Sequence, residues 1–136
     1  MSYITGTAAP LLAADAWVKG QKRFPLSLAE YRGTWVVVAL GARHGDLLEL
    51  AALEEAFGAD GAIVLAACPD DWHELAARYA DEPIRFPILS EVEERRRITL
   101  VVDPGGVVRH VGLRRSARET LTALEELVAP AMQIAA

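Results

Sequence analysis

Five side chains carry the chemistry open to this chain. Cys68 is its single cysteine, and a cysteine acts as a nucleophile only in its thiolate form. Arg43, His44 and Asp46 fall within one short stretch, Gly41-Ala42-Arg43-His44-Gly45-Asp46. A guanidinium next to the free N–H groups of a helix start can hold an anion, and an imidazole beside a carboxylate can serve as an acid–base pair. Arg97 closes the run Arg95-Arg96-Arg97. Each has a plainer reading. Asp46 suits a helix N-cap, with Arg43 and His44 as exposed loop residues, and Asp46 itself opposes an anion there. Cys68 suits packing at the end of a buried strand. The basic runs Arg95-Arg96-Arg97 and Arg114-Arg115 sit among acids and read as solvated surface charge.

The elements that position these residues follow from periodicity. Residues 35–40 are a continuous valine-rich run, which predicts a strand buried on both faces. Leu47, Leu50, Leu53 and Phe57 recur at helical spacing after it, with Asp46 as cap and Gly58 as end. Residues 62–67 form a second buried strand. The βαβ unit so made should be parallel and right-handed. Cys68 then lies beyond the C-terminal end of that strand, on the edge that carries residues 43–46, which is where open α/β sheets form their sites. Asp70 and Asp71 open a helix reaching Tyr79, with Trp72, Leu75 and Tyr79 on one face.

Upstream, residues 16–18 and 23–26 around Lys19-Gly20 predict an N-terminal hairpin. Ser27 caps a short helix through Glu30, ended by Gly33. Downstream, residues 84–89 are extended and broken by Pro87, and residues 90–96 have room for about one helical turn. Residues 98–102 and 107–112 flank the turn Asp103-Pro104-Gly105-Gly106 as a hairpin. Ser116 with Glu119 forms a capping box for a final helix striped by Leu121, Leu124, Leu127 and Val128. Alternating strands and helices of this kind predict an α/β fold with a mixed sheet covered on both faces.

Composition bounds the rest. The chain has 136 residues, 52% apolar and 24% charged, which fits a single soluble globular domain spanning residues 1–136. Nineteen acids against fourteen bases leave a net charge of −5, so no nucleic-acid partner is expected. No apolar run reaches the ~20 residues that span a bilayer, and the N-terminus has no signal-peptide pattern. A cytoplasmic protein without membrane attachment is the expectation. One cysteine excludes an intramolecular disulfide and a cysteine-rich metal site. His44, His73 and His110 lack metal-ligand spacing, so neither metal nor cofactor is expected.

Four motifs in order carry a family resemblance. Leu26-Ser27-Leu28-Ala29-Glu30-Tyr31-Arg32-Gly33-Thr34-Trp35-Val36-Val37 leads into the central strand, and Phe86-Pro87-Ile88-Leu89-Ser90 follows the second crossover helix. Leu100-Val101-Val102-Asp103-Pro104-Gly105-Gly106-Val107-Val108-Arg109 makes the hairpin, and Arg115-Ser116-Ala117-Arg118-Glu119-Thr120-Leu121 opens the closing helix. Over roughly residues 8–128 the sequence resembles the peroxiredoxin branch (AhpC/TSA) of the thioredoxin-like superfamily. The resemblance implies a thioredoxin-like three-layer α/β/α sandwich with a central mixed sheet and an N-terminal hairpin. It also implies a homodimer, since family members commonly pair.

The departures from that family bear on function. Its peroxidatic motif reads P-x-x-x-T/S-x-x-C. Anchored on Glu49-Leu50, this chain has Ala39, Arg43 and Asp46 at those three positions. The former active-site loop thus holds Arg43, His44 and Asp46 and no sulfur. Arg97 falls where peroxiredoxins carry an arginine that assists the thiolate and the peroxide. About seven residues stand between Ser90 and Ile98 where the family has a helix and a loop. Three readings follow. The first is a redox-inactive peroxiredoxin-like domain, a pseudoenzyme that binds a protein partner, a copy of itself or a small ligand. The second is a divergent thiol-dependent antioxidant oxidoreductase using Cys68. The third is a non-redox enzyme using Arg43, His44 and Asp46.

Overall fold

Val36, Val37, Val38, Ala39 and Leu40 are five consecutive buried residues. A strand can bury every side chain only at the centre of a sheet covered on both faces, and the rest of the fold is arranged around it. The computed structural model describes the backbone of residues 3–113 and 116–135, and the side chains of residues 3–113 and 116–129. Arg114 and Arg115, expected as surface charge, lie outside the described residues.

In chain order the elements are β1 (Ala13–Trp17), β2 (Phe24–Ser27), a short 3-10 helix (Leu28–Tyr31), β3 (Trp35–Leu40), α1 (His44–Ala59), β4 (Ala62–Ala67), α2 (Trp72–Tyr79), β5 (Ile88–Leu89), β6 (Ile98–Val102), β7 (Val108–Leu113) and α3 (Ala117–Ala135). Among the described residues the strands form one mixed sheet in the order β2-β1-β5-β4-β3-β6-β7. β3 pairs in parallel with β4, Val37 opposite Val64, and β4 in parallel with β5. β6 runs antiparallel to β3, with Val101 opposite Val37. The N-terminal hairpin is present and begins earlier than its apolar residues suggest, at Ala13 opposite Ser27.

The two outer layers are unequal. The steps from β3 to β4 and from β4 to β5 go the same way across the sheet. Two right-handed crossovers taken in one direction put both helices on one face. α3 joins them there, so Leu47, Phe57, Leu75, Tyr79, Leu121 and Leu124 share a core with Val37, Val64 and Val101. The opposite face buries Val36, Val38, Leu65, Leu100 and Val102 under Leu28 of the 3-10 helix, with Ala9, Leu12 and Val92 packed against them. That layer is a 3-10 turn and extended chain. No helix among the described residues is long and apolar enough to cross a membrane.

Local signals set most boundaries. Ser27 and Glu30 form the expected capping box, and Asp71 with Glu74 forms another at α2. α1 runs past Gly58 to Ala59, with Asp60 as C-cap before Gly61 at φ +80°. Leu53 is only partly buried, on the flank of the α1 core face.

The segment 90–97 is not the expected helical turn. It carries the chain from β5 past β4 and β3 to β6, three strand spacings or about 14 Å. Eight residues of helix would cover about 12 Å, short of that span, and the segment is extended. Its N–H groups donate to carbonyls on other elements: Ser90 to Asp15 at 2.9 Å, Glu91 to Asp70 at 2.9 Å and Val92 to Cys68 at 2.9 Å. Glu91 adopts φ +55° to make the bend.

At its far end the segment lies on Gly41. A Cβ there would sit 2.8 Å from the Arg95 carbonyl carbon and still nearer the Arg96 carbonyl oxygen, and Gly41 has φ +59°. Gly41→Ala should therefore lower stability by about 2–4 kcal/mol, combining left-handed strain with a backbone clash. Urea denaturation followed by circular dichroism measures this. A Gly41→Ala variant as stable as the parent would contradict the packing.

Candidate functional site

The candidate site is the junction where β3 turns into α1. Gly41 makes the turn, Arg43 is the N-cap of α1, and the helix begins at His44. The cap expected from Asp46 is thus corrected. Asp46 is the third residue of the helix, and its Oδ2 reaches back to accept the Arg43 backbone N–H at 3.0 Å. The reason lies outside the helix. Placed one turn in, the carboxylate also meets Arg97, whose Nε donates to Oδ2 at 3.0 Å and whose Nη2 donates to Oδ1 at 2.5 Å. This is a two-pronged, charge-assisted contact of the kind that fixes geometry best. The side chains keep only 31% and 22% of their exposure. Burial alone would raise the Asp46 carboxyl. The Arg97 hydrogen bonds, the Arg43 N–H and the two positive charges outweigh it, so Asp46 lies below the usual carboxylate range.

The anion site expected at the α1 start is therefore filled by the protein's own carboxylate. His44 and Asp46 are not brought together as an acid–base pair. His44 faces the other way, with Nε2 at 3.3 Å from Glu82 Oε1 and its ring 5.3 Å from that of Tyr79. Glu49, one turn beyond Asp46, accepts the backbone N–H of Ala117 at 2.7 Å and so satisfies the first turn of α3. Asp46, Glu49 and Arg97 line a cavity of about 20 Å³ with Leu50 and Thr99, room for about one water molecule. No group of three or more His, Cys, Asp and Glu among the described residues is arranged to hold a metal ion.

Cys68 lies on the same edge, at the end of β4. It is 1% exposed, and its Sγ–H donates to the Ala42 carbonyl at 3.4 Å. Its N–H donates to Leu89 O and its C=O accepts from Val92 N, so the segment 90–97 covers it. Burial, followed by the charge of Asp70, pushes the thiol up to about 12, against the opposing pull of Arg78. Arg78 is spent on Asp70, at 2.6 Å, and lies 6.0 Å from the Tyr79 ring centre.

Sequence reasoning missed Glu49, Glu82 and Tyr79 as neighbours of the junction. The i, i+3 pair Asp46 and Glu49 was a usable signal, because both carboxylates project from one face of α1. Glu82 and Tyr79 gave none, since only the tertiary fold brings them to His44.

Replacing Asp46 by Asn should cost about 1–3 kcal/mol, with a coupling to Arg97→Gln measurable in a double-mutant cycle. The pH dependence follows from the sign of the shift. Asp46 titrates lower folded than unfolded, so its contribution is complete above about pH 4 and fades as pH falls through the folded value. Glu94, held down to about 2 first by the Arg96 hydrogen bond, fades in the same window. The difference between parent and Asp46→Asn isolates Asp46. Urea midpoints from pH 2 to 7 should converge at the acid end, and a gap that widens there would contradict the pairing.

No protein-family profile and no curated protein matches the sequence. Solved structures do match the fold. The mitochondrial 2-Cys peroxiredoxin from Plasmodium falciparum superposes with a TM-score of 0.81 at 13% identity, over 92% of this chain and 94% of that one. The reduced 2-Cys peroxiredoxin of Plasmodium vivax gives 0.78 at 18% identity, over 90% and 95%. AhpC of Mycobacterium tuberculosis gives 0.76 at 19% identity, over 91% and 92%. At such identities the likeness concerns the fold alone: the chain has the thioredoxin-like fold in the form that peroxiredoxins carry.

Proposed function

We propose that this chain is a redox-silent, peroxiredoxin-like domain that acts by binding a partner or ligand. The observation that carries the reading is the burial of its one thiol, Cys68, which is 1% exposed. That burial pushes the thiol up to about 12, so it stays protonated at pH 7. Reactive cysteines lie several units lower and are reached by solvent. Cys68 is sealed beneath the segment 90–97 and hydrogen-bonded to Ala42 O.

The family resemblance sets Asp46 at the peroxidatic cysteine and Arg97 at the assisting arginine. The ion pair between them supports the same reading. A carboxylate takes the guanidinium that would otherwise meet a thiolate, and it has no sulfur lone pair to offer a peroxide O–O bond. An enzyme built on His44 and Asp46 has less support, because the two side chains point to different partners. A homodimer and a cytoplasmic setting belong to the proposal by resemblance and by the sequence reading respectively.

Hydrogen peroxide consumption with thioredoxin or dithiothreitol as reductant tests it. Parent and Cys68→Ser should both run at the rate of the reductant alone. Iodoacetamide should alkylate Cys68 about a hundredfold or more slowly in the native chain than in urea. Turnover lost on Cys68→Ser would instead establish a thiol-dependent antioxidant oxidoreductase.

A further inference from the structure

The thin layer of the fold holds a cleft that the junction chemistry does not use. It measures about 170 Å³ and lies at the far end of β3 from Asp46. Pro10, Leu12, Leu28, Val36 and Val102 give it apolar walls. A closed apolar cavity of about 150 Å³ accepts one benzene ring, so the scale is that of a single small ligand.

The walls are held apart by backbone bonds. Ala9 N–H donates to Gly106 O at 2.8 Å, and Leu28 N–H donates to Leu12 O at 2.9 Å. Residues 10 and 11 thus bridge the cleft from two fixed ends, which keeps it from collapsing onto the sheet. Pre-set walls of this kind lower the ordering cost of binding.

One cation lines the cleft. Arg32 lies across Gly106, where a Cβ would sit 2.6 Å from its Nε and closer still to its Cζ and Nη1. Its Nη1 donates to Gly105 O at 3.0 Å. Like Arg43, Arg85 and Arg118 it forms no ion pair among the described residues, and of these four only the exposed Arg32 lines the cleft. The carboxylate that lines the cleft, Asp103, is committed elsewhere. Its Oδ1 accepts Val107 N–H at 3.0 Å, and its Oδ2 meets Arg109 Nη1 at 3.4 Å.

An apolar volume of one ring with an oriented guanidinium left to pair asks for an apolar body ending in a carboxylate. We propose that this cleft binds a small aryl or branched-chain carboxylate, its apolar part against Val36 and Val102 and its carboxylate on Arg32. The inference is independent of the redox-silent reading, since Cys68 does not line the cleft and a domain that turned over peroxide could hold the same ligand.

Titration of the ¹⁵N-labelled chain with benzoate, acetate and benzyl alcohol tests it. Benzoate should shift the amides of Ala9, Leu12, Leu28 and Val102 saturably, binding about tenfold or more tightly than either fragment. Arg32→Gln should bring benzoate down to the affinity of benzyl alcohol, and Arg32→Lys should restore part of the difference. Ala9→Phe, on the bridging arm rather than the sheet, should fill the cleft and abolish the shifts while leaving the circular dichroism spectrum unchanged. Benzoate that causes no saturable shift, or binds the parent no better than benzyl alcohol, would overturn the proposal. Equal benzoate affinity in Arg32→Gln would overturn the role given to Arg32.

Discussion

The Asp46–Arg97 ion pair clamps two parts of the chain just beyond the point where Leu40 of β3 pairs with Ile98 of β6. One is the first turn of α1, and the other is the segment leading into β6. The pair is half-buried, where losing water costs each charge more than at a surface. It is sustained by three donors to the carboxylate: two N–H groups of Arg97 and the backbone N–H of Arg43. With that clamp set, the 95–96 backbone can rest on Gly41. The residues before it are then drawn across the ends of β4 and β3.

That crossing governs the chemistry of the edge. Open α/β sheets put ligands beyond the C-terminal ends of their parallel strands. Here the same location is occupied by the protein's own chain, leaving a space of about 20 Å³. Cys68 is at the right end of the right strand and is still cut off from solvent, with its N–H used by Leu89 of β5 and its C=O by Val92 of the crossing segment. Its position in the topology and its protonation state point in opposite directions, and burial decides between them.

Much of this was legible in the chain. Residues 35–40 and 62–67 declare themselves because uninterrupted apolar runs of that length fit only strands covered on both faces. Ser27 and Asp71 announce their helices because a cap acts over three residues. The onset of α1 was harder. Arg43 has no cap side chain to signal it, and Asp46 answers to a partner 51 residues away. The segment 90–97 gave no local sign of its path, since its length is set by the distance it must cross. Arg97 was picked out by resemblance, but its partner was visible only once α1 and β6 were adjacent. His44 and Asp46 suggest a pair because they are neighbours in sequence, and the helix start turns them to opposite sides.

The lopsided layering of the sheet has a further effect, on how the molecule breathes. Native chains open in parts, and the parts with little buried apolar contact open first. On the helical side, α1, α2 and α3 share one core with Val37 and Val101, and exposing either requires parting whole helices. On the other side Val36 and Val102 are covered by the N-terminal arm and a single 3-10 turn. Adjacent residues of one strand thus sit behind barriers of different height. Local opening on the arm side then exposes less apolar surface than opening on the helical side, so that is the side from which solvent should first reach the sheet.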